Sequence, residues 1–128
     1  MSRRLLLDTH VLLWALSAPR HLPSAVAAKI KDPETDVYLS AVATWEIAIK
    51  SALGKIKADL ATIVTAARDA ELDELPISIA HTLRLQGLPP HHRDPFDRLL
   101  VAQALEEGLT IVTHDRALAA YGAPTLWA

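Results

Sequence analysis

Leu5-Leu6-Leu7-Asp8-Thr9 is the stretch on which the fold reading turns. Three consecutive aliphatic residues, with no polar alternation, describe a strand buried on both faces. The run stops at Asp8 and Thr9, two residues able to cap a helix, and Val11, Leu12, Ala15 and Leu16 then recur at helical spacing. The pattern returns near the other end, where residues 109–112 form a second buried-type strand that leads into Thr113-His114-Asp115. Between the two, Ser24 caps a helix carrying Val26, Ala27 and Ile30, after a loop over 18–23 and before a turn over 32–36. Val37-Tyr38-Leu39 reads as a strand, and Ser40 caps a helix over 41–53 that Gly54 closes. A helix from Asp59 carries Leu60, Ile63, Val64 and Ala67, and Leu75-Pro76-Ile77 is a strand candidate weakened by its proline. A short helix over 78–86 meets Gly87 and the prolines at 89 and 90. A long helix then opens at Asp94-Pro95 and ends at Gly108, and a short helix with a last strand near Thr125-Leu126 finishes the chain. Strands alternating with helices predict an α/β fold with a parallel, doubly wound sheet.

Size and composition set the outer limits. A chain of 128 residues, 51% of them apolar and 22% charged, suits a single domain with a real core. The formal net charge of −2 excludes a globally basic nucleic-acid binder, so any such surface must be local. The chain has no cysteine, which excludes disulfides and thiolate metal sites and favours a reducing cytoplasm. The start, Met1-Ser2-Arg3-Arg4-Leu5-Leu6-Leu7, resembles a signal peptide until Asp8 interrupts it. No apolar run approaches the ~20 residues of a membrane span.

The carboxylates carry the chemistry. Asp8 and Asp115 each end one of the two clearest strands, where each serves either as a helix cap or as a ligand. Asp94 precedes Pro95 and so fits an N-cap with proline at the first helical position. Asp97 complements the helix dipole, but it also heads the buried line of Leu100, Val101 and Ala104, where a carboxylate needs compensation. Glu46 has Lys50 four residues on, a pair worth only about 0.3–0.5 kcal/mol on a surface. Three of its four helical neighbours, Val42, Ala43 and Ile49, are apolar, which places it at the edge of a buried face.

In a parallel α/β sheet, ligands bind beyond the C-terminal strand ends. Asp8 and Asp115 stand there, and a helix that feeds a strand begins at that same edge, which brings Asp97 beside them. Several carboxylates in one crevice raise each other's pKa unless cations are bound. Oxygen-only ligation implies Mg²⁺ or Mn²⁺, and two such ions about 3.5–4 Å apart would clamp a phosphodiester and activate a water. Thr9 and Thr113 are placed to hydrogen-bond the ligating carboxylates.

Leu5 to Trp14, Ser40 to Lys50 with Trp45-Glu46-Ile47, His92 to Arg98, and Thr113-His114-Asp115 together resemble the PIN-domain nucleases, and more closely the VapC-type toxins of toxin–antitoxin pairs. His114 departs from the residue that many relatives carry there. The resemblance implies a PIN-like three-layer fold over 1–128, with parallel strands in the order 3-2-1-4-5, and Mg²⁺-dependent endoribonuclease activity. It implies an acidic cluster of Asp8, Glu46, Asp97 and Asp115, with Asp94 close by. It further implies a homodimer neutralised by a cognate antitoxin, with RNA as substrate.

The remaining residues divide between site and scaffold. Arg93, Arg98 and Arg116 flank the proposed ligands and either grip phosphates or hold the carboxylates by salt bridges. His91, His92 and His114 read as solvent-facing, and His10 as a helix residue that caps or packs. Trp14 and Trp45 read as core. The Leu60, Ile63, Val64, Ala67 stripe is amphipathic packing, part of which, with the corner at 54–57, offers a groove for an antitoxin helix. Two other nuclease-free or housekeeping readings compete: an RNA-processing PIN nuclease outside any toxin pair, and a non-catalytic binding module whose acids only cap helices. A haloacid-dehalogenase-like phosphatase needs a second acid two residues after Asp8, and that position is His10.

Overall fold

The computed structural model of the chain describes residues 4–128, so the expectation drawn from Met1-Ser2-Arg3 lies outside the described residues. Its strands are β1 (Arg4–Leu7), β2 (Asp36–Ser40), β3 (Asp73–Leu75), β4 (Thr110–Thr113) and β5 (Thr125–Trp127). They form one sheet in the order β3-β2-β1-β4-β5, with all four pairings parallel. Six helices intervene: α1 (Thr9–Ser17), α2 (Ser24–Lys31), α3 (Ala41–Ala52), α4 (Leu60–Asp69), α5 (Ile79–Gln86) and α6 (Pro95–Glu107). Two 3₁₀ segments, Pro19–His21 and Arg116–Tyr121, complete the order.

The unbroken aliphatic strands follow from having a core on each face of the sheet. Leu5 and Leu7 point into one cluster with Val11, Leu12, Val26, Val37, Leu39, Ile47 and Ile63. Leu6, between them, points into the other with Leu99, Leu100, Val101, Ile111 and Leu118. Successive side chains alternate faces, so a strand covered on both sides must be apolar at every position. The β3 strand lies two residues earlier than the proline-containing candidate at 75–77. Pro76 has no N–H for the ladder, and pairing with β2 stops at Leu75 opposite Ser40.

Two expectations about packing change. Trp45 is 47% exposed rather than core. It lies with Ile49 and Leu53 on the outward face of α3, and its ring meets Phe96 edge-on at 4.8 Å. Trp14 is only partly buried, leaning on the first cluster. In α4, Ile63 and Ala67 are buried against the sheet while Leu60 and Val64 are partly buried, the pattern of amphipathic packing.

A buried polar chain ties α5 and α6 to the start of α3. Gln103, fully buried, accepts from the Ser40 hydroxyl at 2.5 Å and donates to the Pro76 carbonyl at 3.3 Å. His81 Nδ1 accepts from the Ser78 N–H at 3.0 Å and faces Gln103 Nε2 at 3.3 Å. Its Nε2 therefore carries the proton and donates to Glu107 at 2.8 Å. Ser40 also caps α3 by accepting from the Val42 N–H, so this network sets where α3 leaves the sheet. Gln103→Leu strips partners from Ser40, Pro76 and His81 at once. Each buried polar group left without a partner costs about 1–3 kcal/mol, so the urea midpoint of the variant is expected to fall well below wild type. An unchanged midpoint would show that the network adds nothing to stability.

Candidate active site

At the C-terminal edge of the sheet a cavity of about 430 Å³ is lined by Asp8, Thr9, His10, Glu46, Lys50, His92, Asp94, Asp97, His114 and Asp115. The chain brings all five acids named from the sequence to this one place. A larger cavity, about 710 Å³, lies where β2 and β3 begin; it is walled by Leu16, Leu22, Ile30 and Leu72, with Asp36 and Asp73 among its lining. The clustered carboxylates are at the other end.

Local structure explains each placement. Asp8 continues β1 beyond Leu7, its N–H donating to the Val112 carbonyl at 3.0 Å. Its carboxylate accepts from the Val11 N–H at 2.9 Å, capping α1, and from the Thr113 hydroxyl at 2.5 Å. Asp115 caps the second 3₁₀ segment by accepting from the Ala117 N–H at 2.9 Å. Asp94 caps α6 with two bonds, from Phe96 N–H at 2.8 Å and Asp97 N–H at 3.2 Å. Capping and convergence are thus served by the same side chains. Asp97 sits in the first turn of α6 with its side chain 22% exposed, above buried Leu100, Val101 and Ala104. Glu46 is buried at 4% exposure and accepts from the Thr9 hydroxyl and from Lys50 Nζ, each at 2.5 Å. The Glu46–Lys50 pair expected on a surface does form, but its carboxylate is buried.

His92 was expected to face solvent, and it does not. Its Nδ1 accepts from the Asp94 N–H at 3.2 Å, which turns Nε2 inward, 3.1 Å from Asp97 Oδ2 and 3.0 Å from Asp115 Oδ2. The sequence signal for this role is its position two residues ahead of a capping aspartate, where the ring can bond the cap's own N–H. His114 is exposed, with Nδ1 donating to the Ala128 carbonyl at 3.0 Å. The arginines divide differently from expectation. Arg98 donates to the carbonyls of Pro89 and Leu88 and to the Tyr121 hydroxyl, bracing the proline loop rather than a carboxylate. Arg116 lies over the Trp127 ring, 4.9 Å from its centre. Arg93 is exposed.

The electrostatics match this crowding. Burial, then the neighbouring Asp94, push the Asp97 carboxyl up to about 7, against a smaller downward pull from His92. Burial also raises Asp8, partly offset by its bonds from Thr113 and Val11. Asp115 is lowered by its bond from Ala117 and by His92. Lys50 is raised by its bond to Glu46. Five carboxylates thus face one lysine. Oxygen donors carrying this excess of negative charge, one of them held near neutrality by its surroundings, fit a hard divalent cation. His92, Asp97 and Asp115 each offer a ligand atom within 4.8 Å of the others.

An acid whose pKa is raised in the folded chain binds its proton more tightly there than when unfolded. The stability that Asp97 contributes is therefore complete below its unfolded value, about 3.9, and is lost as pH rises to about 7. Asp8 acts in the same direction, whereas Asp115, lowered, changes its contribution only below that window. Denaturant unfolding in a chelator is expected to show higher stability at pH 5 than at pH 8, and Asp97→Asn should flatten the difference by about 2–3 kcal/mol. A variant with the wild-type pH profile would remove Asp97 as the source.

With this geometry established, comparison with known proteins is direct. The PIN domain family model matches residues 5–124. Ribonuclease VapC22 of Mycobacterium tuberculosis is 29% identical over 129 residues, covering 95% of this chain and 97% of that protein. Among solved structures, VapBC2 from Rickettsia felis, bound to a DNA fragment from its promoter, superposes with a TM-score of 0.72 at 15% identity, covering 97% of this chain and 98% of that one. VapBC-1 from nontypeable Haemophilus influenzae gives 0.65 at 18% identity, covering 98% and 96%. FitAcB from Neisseria gonorrhoeae gives 0.63 at 20% identity, covering 95% and 96%. The parallel sheet in the order 3-2-1-4-5, its acid-lined C-terminal edge and a family match across nearly its whole length agree: the chain belongs to the PIN domain family.

Proposed function

We infer that this chain is a Mg²⁺-dependent endoribonuclease, with Mn²⁺ able to substitute, and that it acts as the toxin of a toxin–antitoxin pair. The observation that carries the reading is the convergence of Asp8, Glu46, Asp97 and Asp115, with Asp94 beside them, around one 430 Å³ cavity. The similarity to Ribonuclease VapC22 along the full chain supports RNA as the substrate. The whole of residues 1–128 is read as one PIN domain.

Asp8, Asp97 and Asp115 would hold the cation, with Glu46 completing the set and Asp94 adding charge from the cap of α6. A divalent cation bound there lowers the pKa of a water and stabilises charge building on a phosphodiester. The protein's own part is orientation. The Thr113 hydroxyl fixes Asp8, and the Thr9 hydroxyl with Lys50 fixes Glu46. His92 holds Asp97 and Asp115 together from the side of the proline loop.

The partner reading, a cognate antitoxin on a homodimeric toxin, is supported by the likeness to VapBC-type structures. It is also supported by apolar surface left uncovered at helical spacing: Trp45, Ile49 and Leu53 on α3, and Ile79 and Leu83 on α5. Among the described residues no helix is long and apolar enough to cross a membrane.

Cleavage of single-stranded and structured RNA by metal-stripped protein, with and without added Mg²⁺ or Mn²⁺, tests the activity. Cutting is expected only with metal, and Asp97→Asn, which keeps size while removing charge, should lower the rate by at least about a hundredfold. No cutting by wild type under any metal would return the acids to capping and leave a binding module as the better reading.

A further inference from the structure

One wall of the acid cavity is aromatic, and the metal chemistry leaves it unused. Trp14 stands at the centre of three imidazoles: His114 edge-on at 5.3 Å, His21 at 5.7 Å and His10 at 6.2 Å. Half of the chain's six histidines thus gather on a single tryptophan. All three are exposed, so the grouping buries little surface, and hydrophobic packing does not account for it. Two of them, His10 and His114, line the same cavity as the carboxylates.

The platform is held from behind. Trp14 leans on the aliphatic cluster of Val11, Leu12 and Leu22. His114 follows Thr113 at the end of β4, and its Nδ1 is tied to the Ala128 carbonyl at 3.0 Å. Ala128 is itself fixed, its N–H donating to the Thr113 carbonyl at 2.9 Å. His10 occupies the first turn of α1, whose cap is Asp8. Flat rings in set orientations are therefore built into the rim of a site that receives a phosphodiester.

We propose that His10 and His114, backed by Trp14, form the stacking surface for an unpaired base next to the cleaved phosphate of a single-stranded RNA. The proposal rests on the ribonuclease reading and adds to it a positioning subsite. A phosphodiester at the carboxylates brings its adjoining nucleotide against the cavity wall, and the rings are that wall. Bases splayed out of a single strand are taken up by stacking on aromatic and histidine side chains. Such stacking tolerates any base because every base has a π-face.

The test is steady-state cleavage in Mg²⁺ of a short single-stranded RNA, alongside copies in which one nucleotide at a time lacks its base. The double variant His10→Ala with His114→Ala is expected to raise KM about tenfold, the scale of one lost base–aromatic stack, with kcat near wild type. The matching His10→Phe with His114→Phe variant should stay within about twofold, since it restores rings without imidazole chemistry. Removing the base beside the cut should raise the wild-type KM by a similar factor and leave the alanine variant unaffected. A wild-type KM in the alanine variant, or base removal that costs both proteins equally, overturns the stacking subsite while leaving the nuclease intact. Absence of cleavage by wild type would overturn the ribonuclease reading and this inference with it.

Discussion

The structure depends on holding carboxylates together where electrostatics alone would drive them apart. Asp8, Glu46, Asp94, Asp97 and Asp115 border one cavity whose only lysine or arginine, among the described residues, is Lys50. Like charges at short range in a partly desolvated crevice cost free energy, and the fold answers with fixed donors: Thr113 and Val11 on Asp8, Thr9 and Lys50 on Glu46, Phe96 and Asp97 N–H on Asp94, Ala117 on Asp115. Asp97 has His92 Nε2 at 3.1 Å but, among the described residues, no backbone N–H or hydroxyl donor, and its carboxyl is the one raised to about 7. The strain of the cluster collects on that residue.

The parallel sheet makes this arrangement possible. Every strand ends on the same edge, and the helices that follow, or that feed the next strand, begin there. Each helix start offers N–H groups that donate to a carboxylate. The caps of α1, α6 and the second 3₁₀ segment are therefore the same aspartates that meet in the cavity. A cap at that edge is therefore also a wall of the cavity.

Much of this was legible in the sequence, for identifiable reasons. The aliphatic runs at Leu5-Leu6-Leu7 and Ile111-Val112 announced strands with a core on each face, and Asp97 at the head of an apolar line announced a carboxylate that needed compensation. Three things were not legible. Strand β3 had to stop before Pro76 to pair with β2, a tertiary constraint on a weak local pattern. Trp45 looked like core because its neighbours are apolar, but α3 turns the Trp45–Ile49–Leu53 line outward. His92 looked like a loop residue because its role depends on a bond to the Asp94 N–H, which exists only once α6 is capped. Sequence pattern reports which face is buried; it says little about side chains whose orientation is set by a loop.

The most direct test of the central claim, that the fold stores uncompensated negative charge for a divalent cation, is calorimetric titration of Mn²⁺ into the metal-free protein at neutral pH. Wild type should bind with release of protons, as the carboxyl of Asp97 gives up its proton to take part. Asp97→Asn should bind at least about tenfold more weakly and release fewer protons. Equal affinity and equal proton release in both proteins would contradict the account, and would mean that the crowded carboxylates are balanced within the fold itself.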